Sequence, residues 1–551
     1  MRRRFCMAWS RRGVLGAGLA AAASSALGSR AQGTRPLPQG TDPGQANPAS
    51  RPFPFEEMTI RIMDEGLVAG RFTSRQLTEA YLARIEEIDR KGPTLRAVLE
   101  INPDALEIAD ALDKERKEKG DRGPLHGIPI LVKDNLDTAD KMSCTAGSLA
   151  LEGSHPPRDS TVVAKLRAAG AIILGKTNLS EWANFRSTHS TSGWSGRGGQ
   201  TLNPYALDRC PSGSSSGSAA AVAANLCAAA IGTETDGSIT SPSSACGLVG
   251  IKPTVGLVSR AGIVPISRTQ DTAGPMARTV RDAVTLLEVI AGPDPRDPAT
   301  KNARPYEAGL LEESSMEGVR IGIVRGNFAG YSAPADKVTE EALKVFQSEG
   351  AKVVDPVELD MTGIGDAELE VLLYEFKAGL AEYLASLGPK ARVRTLEDVI
   401  AFDEKNRDRE MPLFAQELFE QARKKGGLSD PKYKKALAKC GTQMREKGID
   451  AVLRKHKLDA LFAPTGTPAW LIDHVNGDPN VGSFTTPAAV AGYPHVTVPA
   501  GFASGLPVGA SFIGPRFSEV KLLDIAWAYE NATRVRRAPR FLPHAEEKQP
   551  S

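Results

Sequence analysis

The most informative stretch of this chain is PSGSSSGSAAAVAANLCAAAIGTETDGSI, residues 211–239. Two turns rich in glycine and serine enclose an alanine-rich segment, for which we predict a helix over 219–230, and a short strand that starts at Ile231. Because the serines lead into the helix without a polar spacer, the stretch is not typical of a flexible Gly/Ser linker. A helix that ties two such turns together holds hydroxyls and backbone N–H groups in fixed positions, as a hydroxyl nucleophile and its oxyanion require.

Outside this stretch, short apolar runs bounded by glycine or proline alternate with helical segments such as 160–169. These strand candidates are, in chain order, 128–132, 171–174, 249–251, 319–324, 351–354, 460–463 and 495–498. Continuous apolar strands that alternate with helices are typical of an α/β layer fold with a buried sheet. We therefore predict a single large domain with a mixed, mostly parallel β-sheet that is covered by helices on both faces.

Three other segments have helical character. Apolar residues recur at helical spacing in 57–89 and 105–119, which predicts an outer helical layer. The stretch 367–457 is strongly charged and helical, and we expect it to form a lobe or cover over the sheet.

The first 31 residues differ from the rest of the chain. They carry six arginines and no acidic residue, and Arg11 and Arg12 precede a weakly apolar run at 16–27 and a small-x-small pattern at 29–31. These features predict a twin-arginine signal peptide over 1–31, with a Sec signal or a retained anchor helix as the alternatives. We expect a periplasmic or secreted protein that has no membrane anchor after cleavage.

The bulk composition is that of an ordinary globular protein. The 551 residues are 41% hydrophobic and 24% charged, which allows a large core. The net charge is only +2, so nothing resembles a nucleic-acid-binding surface. We divide the chain after the signal into a Pro/Gly-rich tether at 32–56, a folded domain at 57–540 and a C-terminal tail at 541–551.

Lys133 is the candidate for a catalytic base. It follows the apolar run 128–132 and precedes Asp134 and Asn135. A lysine at the inner end of a buried strand is desolvated, which lowers its pKa and favours the neutral amine that accepts a proton. A single lysine is usually a surface charge, but its combination with the two serine turns favours the catalytic interpretation.

No metal site or disulfide framework is predicted. After loss of Cys6 with the signal, five cysteines remain without C-x-x-C spacing, and the seven histidines show no spacing that suggests a metal pair. Chemistry based on serine and lysine needs neither a metal nor an organic cofactor.

Four segments together resemble the amidase signature family in their order and spacing. They are GIPILVKDN at 127–135, GSSSG at 213–217, GTETDGS at 232–238 and CGLVGIKPT at 246–254. The resemblance implies a serine amidohydrolase with Ser238 as nucleophile, Ser214 as a bridging serine after a cis peptide bond, and Lys133 as base. It also implies an oxyanion hole of backbone N–H groups, which belong to Thr235, Asp236, Gly237 and Ser238.

Some positions depart from the family pattern, since Asp236 replaces a frequent glycine and Thr240 a usual arginine, while the triad positions are intact. Segments 179–185, 374–380 and 491–494 are similar to the branch that contains bacterial peptide amidases. That branch removes the C-terminal amide from peptide amides and releases ammonia. The resemblance therefore implies a small-molecule or short peptide amide as substrate; a monomer or homodimer is expected.

Three alternative functions stay open at this stage. The chain could belong to another amidase branch that acts on aryl-acyl or aliphatic amides. A protein like the ammonia-supplying component of glutamyl-tRNA amidotransferase would share the triad, but it works in the cytosol, and the export signal argues against it. A periplasmic solute-binding protein is the non-enzyme alternative, although such a protein would not need an intact Lys133, Ser214 and Ser238.

Two further patterns match known motifs but are rejected. Residues 170–177 satisfy G-x-x-x-x-G-K-T, yet the intervening residues form an apolar run rather than a phosphate-binding loop. Residues 213–217 fit G-x-S-x-G, which would make Ser215 the nucleophile. That motif needs a strand directly before it, whereas 201–212 contains two prolines and is predicted to be a loop.

Overall fold

The computed structural model describes residues 53–306, 311–389, 391–479 and 482–546. These residues all fall in one compact unit. The predicted signal peptide and most of the predicted tether lie outside the described residues, so the proposed boundaries stay predictions. Phe53 and Phe55 are already buried in the core, so packing begins within the last residues assigned to the tether.

The described residues contain thirteen strands. They are β1 (Val98–Ile101), β2 (Pro129–Lys133), β3 (Ile172–Thr177), β4 (Trp194–Ser195), β5 (Gly199–Gln200), β6 (Ala229–Glu234), β7 (Val249–Lys252), β8 (Thr272–Ala277), β9 (Arg320–Val324), β10 (Lys352–Val357), β11 (Ala460–Pro464), β12 (His495–Ala503) and β13 (Leu506–Ile513). Within the described ranges, eleven of them form one sheet in the order β1-β3-β2-β6-β8-β7-β12-β13-β11-β9-β10, and β4 pairs with β5.

The sheet is mixed, as predicted, but the expectation that most strand pairs are parallel is wrong. Strand β2 is parallel to β3 and β6, and β9 is parallel to β10 and β11. The other six neighbouring pairs are antiparallel. A strand that is buried on both faces has the same apolar pattern in either direction, so the pattern alone does not reveal strand direction.

The described residues also contain sixteen α-helices. They are α1 (Ile60–Val68), α2 (Ser74–Arg84), α3 (Ala105–Lys119), α4 (Thr161–Ala168), α5 (Ser216–Ala223), α6 (Thr240–Ala245), α7 (Val280–Ile290), α8 (Ala333–Ser348), α9 (Ile364–Ser386), α10 (Leu396–Lys405), α11 (Arg407–Glu410), α12 (Glu417–Arg423), α13 (Pro431–Gly441), α14 (Asp450–His456), α15 (Thr486–Ala491) and α16 (Glu519–Thr533). Two π-helical segments continue α2 and α13, at Ile85–Lys91 and Thr442–Ile449. Short 3₁₀ segments occur at Leu149–Leu151, Glu181–Asn184, Pro298–Asn302, Leu311–Glu313 and Gly326–Phe328.

Helices cover both faces of the central strands. Every residue of β2, β3 and β6 is buried, and successive side chains of a strand point to opposite faces. Both faces must therefore be shielded from water. Helices α9 to α14 fill the predicted helical stretch 367–457. In the part of the chain that the structure describes, no helix is long and apolar enough to cross a membrane.

The alanine-rich segment after the first Gly/Ser turn is divided between two elements. The predicted helix over 219–230 ends at Ala223, because Asn225 adopts a left-handed backbone conformation with φ 58°. Ala229 and Ala230 instead pair with Ile130 of β2 and Met276 of β8. Sheet pairing thus overrides the helix preference of alanine.

Candidate active site

Lys133 lies at the carboxyl end of β2, and its side chain is fully buried. Its Nζ donates hydrogen bonds to Ser214 Oγ at 2.8 Å and to Thr233 Oγ1 at 2.9 Å. The same Thr233 oxygen accepts from Asn135 Nδ2 at 3.0 Å. Two side-chain hydroxyls therefore surround the amine, and one of them belongs to the first Gly/Ser turn.

Ser214 is held in that turn by backbone contacts. The peptide bond between Gly213 and Ser214 is cis, as the resemblance implied. The Ser214 carbonyl accepts a hydrogen bond from Ser180 N at 3.0 Å. A side chain at Gly213 would meet Ser180 Oγ at 2.3 Å, so the turn is tightly enclosed at this position. Ser214 itself is fully buried and contacts Lys133 rather than solvent.

Ser238 lies in the second turn, between β6 and α6. The turns meet directly, because Ser215 N donates to the Ser238 carbonyl at 3.1 Å. Ser238 is 8% exposed, whereas Lys133 and Ser214 are at 0%. Of these three side chains, Ser238 is therefore the one that an incoming molecule reaches first.

The backbone around Ser238 presents several donors. Among the described residues, the N–H groups of Asp236, Gly237 and Ser238 have no hydrogen-bond acceptor. Gly237 has φ 79°, and a Cβ there would lie 2.9 Å from Ser241 Oγ and 3.1 Å from Thr485 Oγ1. Glycine is thus required at this position for both its conformation and its size. Unpaired N–H groups beside a hydroxyl can bind an oxyanion.

Side chains from several elements hold this turn in place. Glu234 Oε2 accepts hydrogen bonds from the N–H groups of Ile239 at 2.8 Å and Thr240 at 2.9 Å, directly after Ser238. Thr486 Oγ1 donates to Asp236 Oδ2 at 2.6 Å. Thr240, which replaces the usual arginine, also donates its hydroxyl to Glu234. The turn is therefore fixed on both sides of the candidate nucleophile.

Burial sets the electrostatics of the lysine. Desolvation lowers the pKa of Lys133 to about 7, although the negative charges of Asp271 and Glu234 act in the opposite direction. A substantial share of the side chain is then neutral amine near neutral pH. A neutral amine within 2.8 Å of a serine hydroxyl can accept its proton.

A cavity of about 550 Å³ adjoins the site. Its wall includes Asn135, Thr233 and Thr235, and α9 contributes Glu375 and Tyr383. The side chains of the three predicted triad residues do not line it. The cavity meets the site at Asn135 and Thr233, and Thr233 in turn contacts Lys133. Its volume is typical of a pocket for a small ligand.

The amidase family matches residues 76–523, which is most of the chain. The chain belongs to the amidase signature family. This amidase is 44% identical over 508 residues to a probable amidase of Arabidopsis thaliana, an alignment that covers 90% of the chain and 93% of the relative. It is 36% identical over 495 residues to a glutamyl-tRNA(Gln) amidotransferase component of Symbiobacterium thermophilum, with 86% and 96% covered.

Solved structures include similar folds. The native peptide amidase from Stenotrophomonas maltophilia is 50% identical and superposes with a TM-score of 0.85, covering 89% of this amidase and all of that chain. An amidase family protein from Bacillus anthracis is 36% identical, with a TM-score of 0.79 and 88% and 92% covered. The amidase is accordingly a hydrolase of carbon–nitrogen bonds in linear amides.

The two rejected motifs have structural roles in this amidase. Residues Ile172–Thr177 of the apparent nucleotide-binding pattern form β3, and the buried Lys176 donates to the Leu136 carbonyl. Ser215 Oγ donates to the Thr233 carbonyl at 3.1 Å and accepts from Thr233 N at 3.2 Å. Both side chains are therefore occupied by backbone partners.

Sequence reasoning missed several residues that build the site. Thr233 and Glu234 lie within the quoted motif, but only the structure shows that Thr233 contacts Lys133 and that Glu234 fixes the turn. Asp271 lies outside every motif, although its carboxylate accepts a hydrogen bond from Thr235 Oγ1 at 2.6 Å. No sequence pattern indicated Asp271, because β8, the strand that follows it, was not predicted either.

Proposed function

We propose that this amidase hydrolyses amides through Ser238 as nucleophile, Ser214 as bridging serine and Lys133 as base. The observation that carries the proposal is the buried contact of 2.8 Å between Lys133 Nζ and Ser214 Oγ. Ser238 is the more exposed of the two serines. A base that is shielded from water but reaches the nucleophile through a hydroxyl is suited to a proton relay.

In the proposed first half-reaction, neutral Lys133 takes the proton of Ser214, Ser214 takes that of Ser238, and Ser238 Oγ bonds to the amide carbonyl carbon. The carbonyl oxygen becomes an oxyanion that the backbone N–H groups of the second turn stabilise, by about 3 kcal/mol for an important donor. The proton then returns through Ser214 to the leaving amine, and the carbon–nitrogen bond breaks.

In the second half-reaction, water attacks the resulting ester on Ser238. Water gives a proton to the relay, and the relay returns a proton to Ser238 Oγ as the acid departs. Lys133 is neutral again at the end of the cycle. Every step uses side chains and backbone groups of this chain.

For the substrate, we propose C-terminal peptide amides, which release ammonia. The support is the 50% identity to a structure named as a peptide amidase, together with an adjoining cavity of a size that accepts a short peptide. We further propose export through the twin-arginine signal at 1–31 and action in the periplasm or outside the cell.

The test is ammonia release from a panel of amides. It comprises a C-terminally amidated dipeptide, the same dipeptide with a free carboxylate, benzamide, an acyl anilide, for which aniline release is followed, and glutamine. We expect ammonia from the amidated dipeptide and none after Ser238→Ala, with an unchanged circular dichroism spectrum. Turnover of benzamide or the anilide alone would support the proposed amide hydrolysis but exclude C-terminal peptide amides as its substrates. Turnover of glutamine alone would favour an amidotransferase-like role.

The nucleophile assignment is tested separately with the neighbouring serine. Ser215→Ala is the matched control, because it removes a hydroxyl one residue from the bridging serine in the same turn. If Ser238→Ala retained full turnover while Ser215→Ala were inactive, the assignment would be wrong.

A further inference from the structure

Asp271 lies directly before β8 and connects three parts of the site. Its Oδ1 accepts the hydroxyl proton of Thr235 at 2.6 Å. Its Oδ2 accepts the backbone N–H groups of Ile266 and Ser267, each at 2.8 Å. Asp271 also lines the cavity of about 550 Å³, as do Thr233 and Thr235. The carboxylate therefore joins the turn that carries Ser238 to the cavity wall.

The same carboxylate acts on the lysine through its charge. Among the charged groups that affect Lys133, Asp271 has the larger effect, followed by Glu234, and both favour the ammonium form. Burial raises the pKa of Asp271 itself to about 6, against the effect of its three hydrogen bonds and of Arg260. Above that pH, Asp271 is ionised, and its negative charge opposes the loss of the proton from Lys133.

Other charged groups line the cavity or the turn near this pair, and most of them have ionic or hydrogen-bonding partners. Arg260 pairs with Asp297 at 2.6 Å. Glu375 of α9 accepts hydrogen bonds from Ser267 Oγ and Tyr433 Oη. Asp137 accepts the hydroxyl proton of Tyr383 at 2.8 Å. Glu234 accepts the N–H groups after Ser238. Arg268 is exposed on the cavity wall. Among these groups, only Asp271 combines contact with the cavity wall and the turn with the larger effect on the lysine.

We propose that Asp271 is a positioning residue of this amidase: its carboxylate orients Thr235 in the turn that carries Ser238, and its charge sets the pH at which Lys133 becomes a base. The inference rests on the proposed role of Lys133. It adds a residue that touches neither the nucleophile nor the bridging serine but controls both the geometry of the turn and the protonation of the lysine.

Asp271→Asn separates the charge from the geometry. The amide oxygen can take the place of Oδ2 and accept the N–H groups of Ile266 and Ser267, while the amide nitrogen donates to Thr235 Oγ1. Removal of the negative charge makes the ammonium form of Lys133 less favourable, so the lysine stays neutral to lower pH. We expect the acidic limb of kcat/KM against pH to move down by about half a unit or more.

Thr235→Val tests the geometric part. It removes the hydroxyl that contacts Asp271, keeps the charge of Asp271 and leaves the side-chain volume at position 235 nearly unchanged. We expect kcat to fall while the acidic limb stays in place. Asp137→Asn is the matched control, because Asp137 lines the same cavity and has its pKa raised to about 6 by burial, yet has no resolved effect on Lys133. Its acidic limb should remain where it is in the unmodified enzyme.

The inference is overturned if Asp271→Asn leaves the acidic limb in place, or if Asp137→Asn moves it equally.

A direct titration of Lys133 tests the role of Asp271 even in a protein that shows no turnover. In Ser238→Ala protein labelled with carbon-13 lysine, the Lys133 Cε resonance should titrate at lower pH when Asp271→Asn is added. If the enzyme released no ammonia from any amide, the proposed function would fail, and this titration would still decide the role of Asp271. If Asp271→Asn did not fold, a shifted limb in Thr235→Val would overturn the inference.

Discussion

Lys133 and Lys252 occupy equivalent kinds of position and have different partners. Each ends an apolar strand, β2 or β7, and each is fully buried. Desolvation lowers the pKa of Lys133 to about 7 and that of Lys252 to about 8. Lys252 Nζ donates to the main-chain carbonyls of Tyr493 at 2.7 Å and Pro253 at 3.1 Å. Lys133 Nζ has one longer contact to a carbonyl, that of Thr233 at 3.4 Å, but its shorter contacts are to the hydroxyls of Ser214 and Thr233.

The difference shows that burial alone does not make a lysine a base. A carbonyl oxygen has no proton to give, so Lys252 can only fix the segments that carry its partners. A serine hydroxyl both gives and accepts a proton, so Lys133 can exchange one with Ser214. The chemistry of the partner, rather than the lowered pKa, distinguishes the candidate catalytic lysine from a structural one.

The largest effect is expected from replacing each lysine by methionine, which keeps an apolar stem of similar length. Lys133→Met should lower kcat/KM at least about a thousandfold, because Lys133 is the proposed base and no other basic group among the described residues contacts Ser214 Oγ. Lys252→Met should retain turnover within about tenfold but lose about 1–3 kcal/mol of unfolding free energy, since two buried carbonyls lose their donor. Ammonia release and urea denaturation measure the two quantities. The reverse pattern would assign the catalytic role to Lys252.

The next largest effect concerns the hydroxyl partner of Lys133. Ser214→Ala should lower kcat by about a hundredfold or more, because the relay between Lys133 and Ser238 is interrupted. Ser215→Ala should cost about 1 kcal/mol of stability, since it removes contacts to the Thr233 backbone alone. Steady-state kinetics and thermal unfolding of both variants distinguish a loss of kcat from a loss of stability. Equal losses of kcat in both variants would contradict a relay through Ser214.

A smaller effect is expected at the second hydroxyl. Thr233→Val keeps the side-chain shape and removes the oxygen that accepts from Lys133 and Asn135. We expect kcat/KM to fall about tenfold, which corresponds to ~1.4 kcal/mol in the barrier. Asn135→Ala, which leaves Thr233 Oγ1 with Lys133 as partner, serves as the control and should have a weaker effect. An unchanged rate in Thr233→Val would mean that Ser214 alone orients the lysine.

The smallest change is in pH dependence. Lys133 must be neutral to accept a proton, so kcat/KM should decrease as the pH falls through about 7, the pKa to which burial lowers this lysine. Lys252→Met should keep this acidic limb, because Lys252 does not take part in proton transfer. A pH profile from about 5 to 9 with both proteins, which brackets that pKa, checks this. A limb that disappears in Lys252→Met would mean that the titrating group is Lys252.

Local patterns in the sequence were sufficient for several features. Apolar runs predicted the strands β2, β7, β9 and β11, and the Gly/Ser turns predicted two rigid loops around a helix. The antiparallel strand β8 was missed, because its TAGPMA sequence contains glycine and proline, which usually indicate a turn. Inserted between β6 and β7, it gives the sheet its mixed character at the site.

The sequence by itself determined that Lys133 follows a buried strand and that Ser214 and Ser238 lie in constrained turns, because strand burial and glycine-dependent turns are local properties. Only the tertiary structure decided which buried lysine faces a hydroxyl, that Thr233 and Asp271 belong to the site, and that Ser238 is more exposed than Ser214. These facts depend on contacts between segments up to about a hundred residues apart. Such contacts are fixed by strand order and packing, which a local pattern does not encode.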